Sequence, residues 1–163
     1  QCLVGSEMCI RDREGLMEKL PPIEKIYEAY SALADDRVTL EENCALVLSS
    51  DRSRSYTVEW MGDAYSSTDN ASYWQGYAGY PIISVLIKQQ KLCINENFVS
   101  HFAEVNWNSL NKKYKRDYKA ALLEVFRMKQ LSEIEIAQIE NETEAVFEQL
   151  KSLDIKIARK IKR

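Results

Sequence analysis

The last quarter of the chain carries the pattern that most constrains the fold, because its apolar residues recur at alternating spacings of three and four. These residues are Ile136, Ile139, Thr143, Val146, Leu150, Leu153 and Ile157. Such spacing places all of them on one helical face and predicts a heptad seam of about three repeats. Ser132 and Glu135 form a capping-box pattern, in which each side chain accepts a hydrogen bond from the other residue's backbone N–H. The sequence therefore predicts a long helix that begins after Ser132.

A second amphipathic stripe comes just before this helix. Its residues are Trp107, Leu110, Tyr114, Tyr118, Ala121, Leu122 and Val125. Two consecutive helices that each have one apolar face can bury those faces against each other. We therefore expect an antiparallel helical hairpin over residues 106–160. The same seam could instead pair with a second copy of the chain, so a homodimer through the C-terminal helices stays open.

The region between residues 44 and 66 has the pattern of β-strands. Its apolar or alternating segments are 44–49, 56–60 and 64–66, and turn residues separate them. This pattern predicts a short antiparallel sheet of about three strands. Helical spacing precedes the sheet at 23–33, and Pro81 opens an apolar segment that we interpret as a further helix. The expected fold class is α+β, with the sheet packed against helices.

The first residues of the chain differ from the rest. Residues 1–13 closely resemble the peptide obtained when a sequencing-library adapter is translated, and Met17 is a more natural start. We expect residues 1–16 to be a non-native leader and residues 17–163 to form a single α+β domain, as is usual for this length. No secretory signal pattern and no apolar run of about 18 residues follows Met17. The expected location is the cytoplasm, without membrane association.

Several kinds of site find no support in the sequence. His101 is the only histidine and the cysteines lack metal-ligand spacing, so we expect neither a bound metal nor a cofactor. The chain also has no nucleophile elbow and no phosphate-binding glycine loop with its lysine. Arg52, Arg54 and the basic run 112–119 could contact phosphates. Nucleic acid is nevertheless an unexpected partner, because the net charge of −3 lacks the basic footprint of a dedicated nucleic-acid-binding domain.

The segment 65–81 has an unusual composition. Five of its seventeen residues are aromatic, whereas the chain-wide aromatic content of 10% would give fewer than two. Tyrosine, serine, glycine and asparagine together are typical of recognition surfaces. The residues that we predict to bind a ligand are Tyr65, Asp69, Asn70, Tyr73, Trp74, Gln75, Tyr77 and Tyr80. The alternative interpretation is a covering loop whose rings pack on the sheet and helices.

Two functional hypotheses follow from this segment. The first is a small binding or regulatory module that uses segment 65–81 to contact a protein or a small ligand. The second is a small enzyme with a pocket beneath the same segment, for which the catalytic candidates are Asp63, Asp69 and His101. A carboxylate and an imidazole that converge in a concave site would favour the enzyme.

Overall fold

A computed structural model describes residues 19–162 of the 163-residue chain. The predicted leader, residues 1–16, lies outside the described residues. Within them, the α-helices are α1 Glu24–Ala34, α2 Tyr80–Lys88, α3 Trp107–Lys113, α4 Tyr118–Met128 and α5 Glu133–Ser152. A π-helical turn spans Ala71–Gln75, and a 3₁₀ segment spans Glu96–Phe102.

The described residues also form one five-stranded sheet. Its strands are β1 Val38–Leu40, β2 Cys44–Leu48, β3 Ser55–Met61, β4 Ala64–Ser67 and β5 Lys156–Ile157. They lie in sequence order, with β1 to β4 antiparallel and β5 parallel to β4. The α+β class is confirmed. The prediction of about three antiparallel strands missed β1 and β5, which are too short, at three and two residues, to show an alternating pattern.

The C-terminal helices depart from the predicted hairpin over residues 106–160. The capping box is confirmed, since Ser132 Oγ and Glu135 Oε1 each accept from the other residue's N–H at 3.1 Å. However, α5 ends at Ser152 and Ile157 lies in β5. The stripe before it is divided into α3 and α4. Both α4 and α5 pack on α1 more than on each other, because α1 is buried along most of its length and offers the larger apolar surface.

The core lies between the sheet and α1, with α2 sandwiched between them. The predicted helix at Pro81 is present as α2, whose Ile82, Ile83, Val85 and Leu86 are fully buried. α2 contacts α1 as well as strands β1, β3 and β4 of the sheet. None of the helices in residues 19–162 is long and apolar enough to cross a membrane.

Candidate functional site

An open cleft with a volume of ≈ 1140 Å³ lies at one end of the domain. Its lining comes from parts of the chain that are far apart in sequence. These parts are the start of α1, the connection between β2 and β3, residues 69–80, and residues 108–118. The cleft therefore exists only after the whole domain has folded.

Most of the predicted ligand-binding residues meet in this cleft. Those that line it are Asp69, Asn70, Trp74, Gln75, Tyr77 and Tyr80. Trp74 is 65% exposed, whereas Tyr77 is only 9% exposed. Segment 65–81 thus has an exposed tip around Trp74 and buried rings on either side of it, so it does not merely cover the core.

The other two predicted ligand-binding residues lie outside the cleft lining. Tyr65 is fully buried in β4. Its hydroxyl donates to Gln89 Oε1 at 2.7 Å and accepts from Lys91 Nζ at 2.7 Å. Tyr73 packs edge-on against Trp74, with ring centroids 4.7 Å apart. The guanidinium of Arg159 lies 5.7 Å from the Tyr73 ring and 5.6 Å from the Trp74 ring, so Tyr73 and Arg159 together support the tryptophan.

Hydrogen bonds between Asp69, Ser72 and Gly79 hold the two ends of the aromatic segment together. Asp69 Oδ2 accepts from the Ser72 N–H at 3.1 Å, and Ser72 Oγ accepts from the Gly79 N–H at 3.2 Å. A Cβ atom at position 79 would lie 2.3 Å from Asp69 Oδ2, so this close approach requires glycine. Asp69 is 6% exposed, and its Oδ1 has no hydrogen-bond partner among the described residues.

Lys25, Glu28 and Asp69 are the buried charged residues of the lining, and we call them the floor. Lys25 Nζ lies 2.9 Å from Glu28 Oε2, and both residues are buried. The ammonium group also lies 4.2 Å from the centroid of the Tyr118 ring. Burial alone would lower the pKa of Lys25, but the carboxylate of Glu28 raises it above its usual value. Lys25 is therefore ionised at neutral pH and forms an ion pair with Glu28.

Arg37 lies behind the floor, where its Nε is 3.6 Å from Asp35 Oδ2. It is 2% exposed, and its Nη1 donates to the backbone oxygen of Leu48 at 2.7 Å. The guanidinium lies 5.9 Å from the Tyr80 ring, and Nη2 has no hydrogen-bond partner in the described part of the chain. A cavity of ≈ 10 Å³, lined in part by Glu28, Arg37 and Tyr80, has about the size of one water molecule. The sequence did not predict a role for Arg37, because no recognisable motif surrounds it.

Arg54, Lys112, Lys115 and Arg116 form what we call the basic rim. No carboxylate in residues 19–162 lies within salt-bridge distance of these four side chains. The carboxylate of the nearby Asp51 already accepts hydrogen bonds from Ser49 Oγ at 2.8 Å and from Ser53 Oγ at 2.6 Å. These hydrogen bonds lower the pKa of Asp51. The sequence contained Arg54 and the basic run, but it did not show that they line one cleft with Trp74.

The cleft is more positive than the chain as a whole. Its lining contains five basic and three acidic residues, although the chain has a net charge of −3. The Lys25–Glu28 pair removes one charge of each sign. The remaining positive charge lies on the basic rim, where an anion could reach it.

The catalytic candidates do not come together in the cleft. Asp69 lines it, but Asp63 lies in the turn between β3 and β4, where its backbone oxygen accepts from the Lys156 N–H at 2.9 Å. His101 lies in the 3₁₀ segment, outside the cleft lining. Its neighbour Glu135 has a pKa that is lowered by hydrogen bonds from Ser132 and, to a smaller extent, by His101. Across residues 19–162, no group of three or more histidine, cysteine or acidic side chains could hold a metal ion.

Comparison with known proteins places the chain in one family. Residues 18–156 match the family described as Uncharacterised conserved protein UCP014422. No curated protein and no solved structure matches the chain. The matched range includes α1 to α5 and every part of the cleft lining. The chain therefore belongs to the family of Uncharacterised conserved protein UCP014422.

Proposed function

We propose that this protein is a binding module that holds a small anionic ligand in the cleft between the aromatic segment and the basic rim. One observation carries the proposal. Four cationic side chains without carboxylate partners in residues 19–162 line the same open cleft as an exposed tryptophan, in a chain whose net charge is negative.

The shape of the cleft favours a small molecule over a protein partner. Sites for small molecules are concave and typically have volumes of about 300–1000 Å³, and they combine aromatic walls with a few polar groups. The cleft volume of ≈ 1140 Å³ is close to this range. A stable protein interface would instead need roughly 800 Å² of complementary surface on each partner. The concave surface and its size support a ligand that enters the cleft.

The side chains in the cleft favour binding over catalysis. Its described lining contains no histidine or cysteine. Among its three carboxylates, Glu28 is paired with Lys25, and the hydrogen bonds from serine hydroxyls that lower the pKa of Asp51 make it a weaker base. Asp69 is buried, and its Oδ2 accepts from the Ser72 N–H. The enzyme hypothesis, the regulatory role and the cytoplasmic location stay predictions.

A double substitution on the basic rim tests this proposal. Lys115→Asn/Arg116→Asn removes two charges, and asparagine tolerates the positive φ angles of 51° and 67° at these positions. The matched control, Lys119→Gln/Arg127→Gln, removes the same charge from α4 outside the cleft lining. The melting temperature of each protein is measured with citrate, benzoate, adenosine monophosphate, ribose 5-phosphate and neutral adenosine.

We expect at least one of these anions to raise the melting temperature of the wild-type protein and of the control variant. The rim variant should lose most of that increase. The proposal is wrong if none of the anions stabilises the wild-type protein, or if the rim variant and the control respond equally.

A further inference from the structure

We infer that the ligand is a nucleoside monophosphate, with its phosphate at the basic rim and its base stacked on Trp74. This inference rests on the proposed function and assigns the ligand's chemical class. It depends on three features of the cleft: the number of cations without a carboxylate partner in residues 19–162, the turn that carries two of them, and the exposed ring of Trp74 beside the amide side chains of Asn70 and Gln75.

The number of cations on the basic rim favours a phosphate over a carboxylate. A phosphate monoester carries about −1.5 to −2 charges at neutral pH and presents three strong acceptor oxygens. Arg54 and Arg116 each offer a planar fork of donors that matches phosphate geometry, and Lys112 and Lys115 add point charges. A single carboxylate has only two oxygens and one charge, and would neutralise only a small part of this positive charge.

The backbone between α3 and α4 presents two of these cations in an unusual way. Lys115 and Arg116 have φ angles of 51° and 67°, and they are the only consecutive positive-φ residues among the described positions. The turn is closed by hydrogen bonds from the Lys115 N–H to Lys112 O at 3.2 Å and from the Arg116 N–H to Asn111 O at 2.8 Å. These two bonds form the Schellman motif that often ends a helix, and the second positive φ, at Arg116, distinguishes this turn from the other helix ends of the described chain. Both basic residues of the turn line the cleft.

Trp74 supplies a surface on which a planar group can stack. It is the only aromatic residue of the described cleft lining that is mostly exposed. Tyr73 and Arg159 contact its ring and hold it in place, so little ordering is needed when a ligand arrives. Stacking on an aromatic ring suits nucleobases, because every base has a π face.

The polar groups near Trp74 complement the edge of a base or a ribose. Asn70 and Gln75 line the cleft beside it and are exposed. Their amide groups can both donate to and accept from the edge of a base or the hydroxyl groups of a ribose.

The cleft is better suited to one nucleotide than to a nucleic-acid strand. Strand-binding surfaces repeat their aromatic platforms along a positively charged groove. In the described cleft lining, only one aromatic residue is mostly exposed. The net charge of −3 also opposes extended contact with a phosphate backbone.

Isothermal titration calorimetry tests the assignment with adenosine monophosphate, adenosine, ribose 5-phosphate, citrate and a six-nucleotide single-stranded RNA. We expect the monophosphate to bind the wild-type protein at least tenfold more tightly than adenosine or ribose 5-phosphate, since each of these lacks one half of the ligand. Trp74→Ala should weaken binding of the monophosphate by roughly tenfold and leave binding of ribose 5-phosphate unchanged. Lys115→Asn/Arg116→Asn should weaken binding of both phosphate compounds and leave binding of adenosine unchanged.

Each contrary outcome has a distinct meaning. If citrate binds and neither phosphate does, the ligand class is wrong while the anion-binding function stands. If ribose 5-phosphate binds as tightly as the monophosphate, the stacking site is wrong. If the RNA binds more than tenfold more tightly than the monophosphate, a nucleic-acid strand replaces the nucleotide. If no anion binds, the proposed function itself fails. Should Trp74→Ala unfold the protein, Trp74→Leu provides the same comparison.

Discussion

Lys25 on the floor of the cleft and Lys115 on its rim are the same residue type in opposite surroundings. Lys25 is 9% exposed and lies 2.9 Å from Glu28. Lys115 is exposed and has no carboxylate within salt-bridge distance in the described chain. A charge that leaves water needs a partner, whereas an exposed charge costs little when unpaired and stays available for a ligand. Substitutions on the floor should therefore change stability, and those on the rim should change binding.

The largest effect is expected from Glu28→Gln, which leaves Lys25 buried without its carboxylate. Breaking a buried pair on one side costs about 3–5 kcal/mol, so the free energy of unfolding should fall by about 4 kcal/mol in urea denaturation. The matched control is Glu148→Gln, because the Lys151–Glu148 pair has a similar distance of 2.8 Å but side chains that are 40% and 66% exposed. That change should cost less than about 1 kcal/mol. Equal losses would remove the distinction between buried and exposed charges.

A slightly smaller loss is expected from Gly79→Ala. The new Cβ would lie 2.3 Å from Asp69 Oδ2 and would displace the carboxylate from its hydrogen bond with Ser72. Overpacking of this kind costs about 3 kcal/mol, measurable by urea denaturation. Gly76→Ala is the comparison, because its φ is 77° and no atom lies within 4 Å of the new Cβ. It should cost about 1–2 kcal/mol from the backbone alone, and a cost as large as that at Gly79 would contradict the steric argument.

Alkaline pH should lower the stability of the folded protein, because Tyr30 is buried and resists ionisation. Burial raises the pKa of Tyr30 to about 12, from a usual value of 10.0. The folded state therefore holds this proton more tightly than the unfolded state. Stability is unaffected below pH 10 and declines between pH 10 and about 12, by about 2–3 kcal/mol for this residue. Tyr30→Phe should show a shallower decline in urea denaturation at pH 9 to 11.5, and an unchanged slope would exclude Tyr30 as its source.

The smallest effects on stability are expected at the rim. Trp74→Ala removes a ring that is 65% exposed and its contact with Arg159, so the loss should be about 1 kcal/mol or less. Lys115→Asn/Arg116→Asn should change stability by less than about 0.5 kcal/mol, as exposed substitutions usually do. Thermal unfolding without ligand measures both. A loss above about 2 kcal/mol at Trp74 would mean that the aromatic tip supports the core rather than a ligand.

Local patterns explain what could be predicted of the fold. The capping box at Ser132, the apolar helix at Pro81 and the three central strands each depend on residues within a few positions of one another. β1 and β5 escaped prediction because three and two residues carry no readable period. Ile157 continued the helical spacing but joins β4 instead, since Leu153 already has an extended backbone, with a φ of −70° and a ψ of 135°.

The sequence predicted ligand-binding residues only on the aromatic side of the cleft, and it indicated Arg54 and the basic run 112–119 only as possible phosphate contacts of a nucleic acid. Composition alone drew attention to residues 65–81, because aromatic rings are concentrated there. Tyr65 shares that composition but lies in the core, since alternation along β4 turns its side chain inward. Arg54 and the cations at 112–116 were visible as charges, but the sequence did not show that they share a cleft with Trp74, because Arg54 lies 20 residues before Trp74 and Lys112 lies 38 residues after it.

The sequence by itself determined the α+β class, the start of α5 and the unusual aromatic segment, because spacing and composition act over short stretches of chain. Only the tertiary structure decided that α1 displaces the predicted hairpin, that Lys25 is paired and buried, and that the basic rim lines the same cleft as Trp74. Packing of the core brings these distant residues together, and burial then determines which charges need partners and which remain open to a ligand.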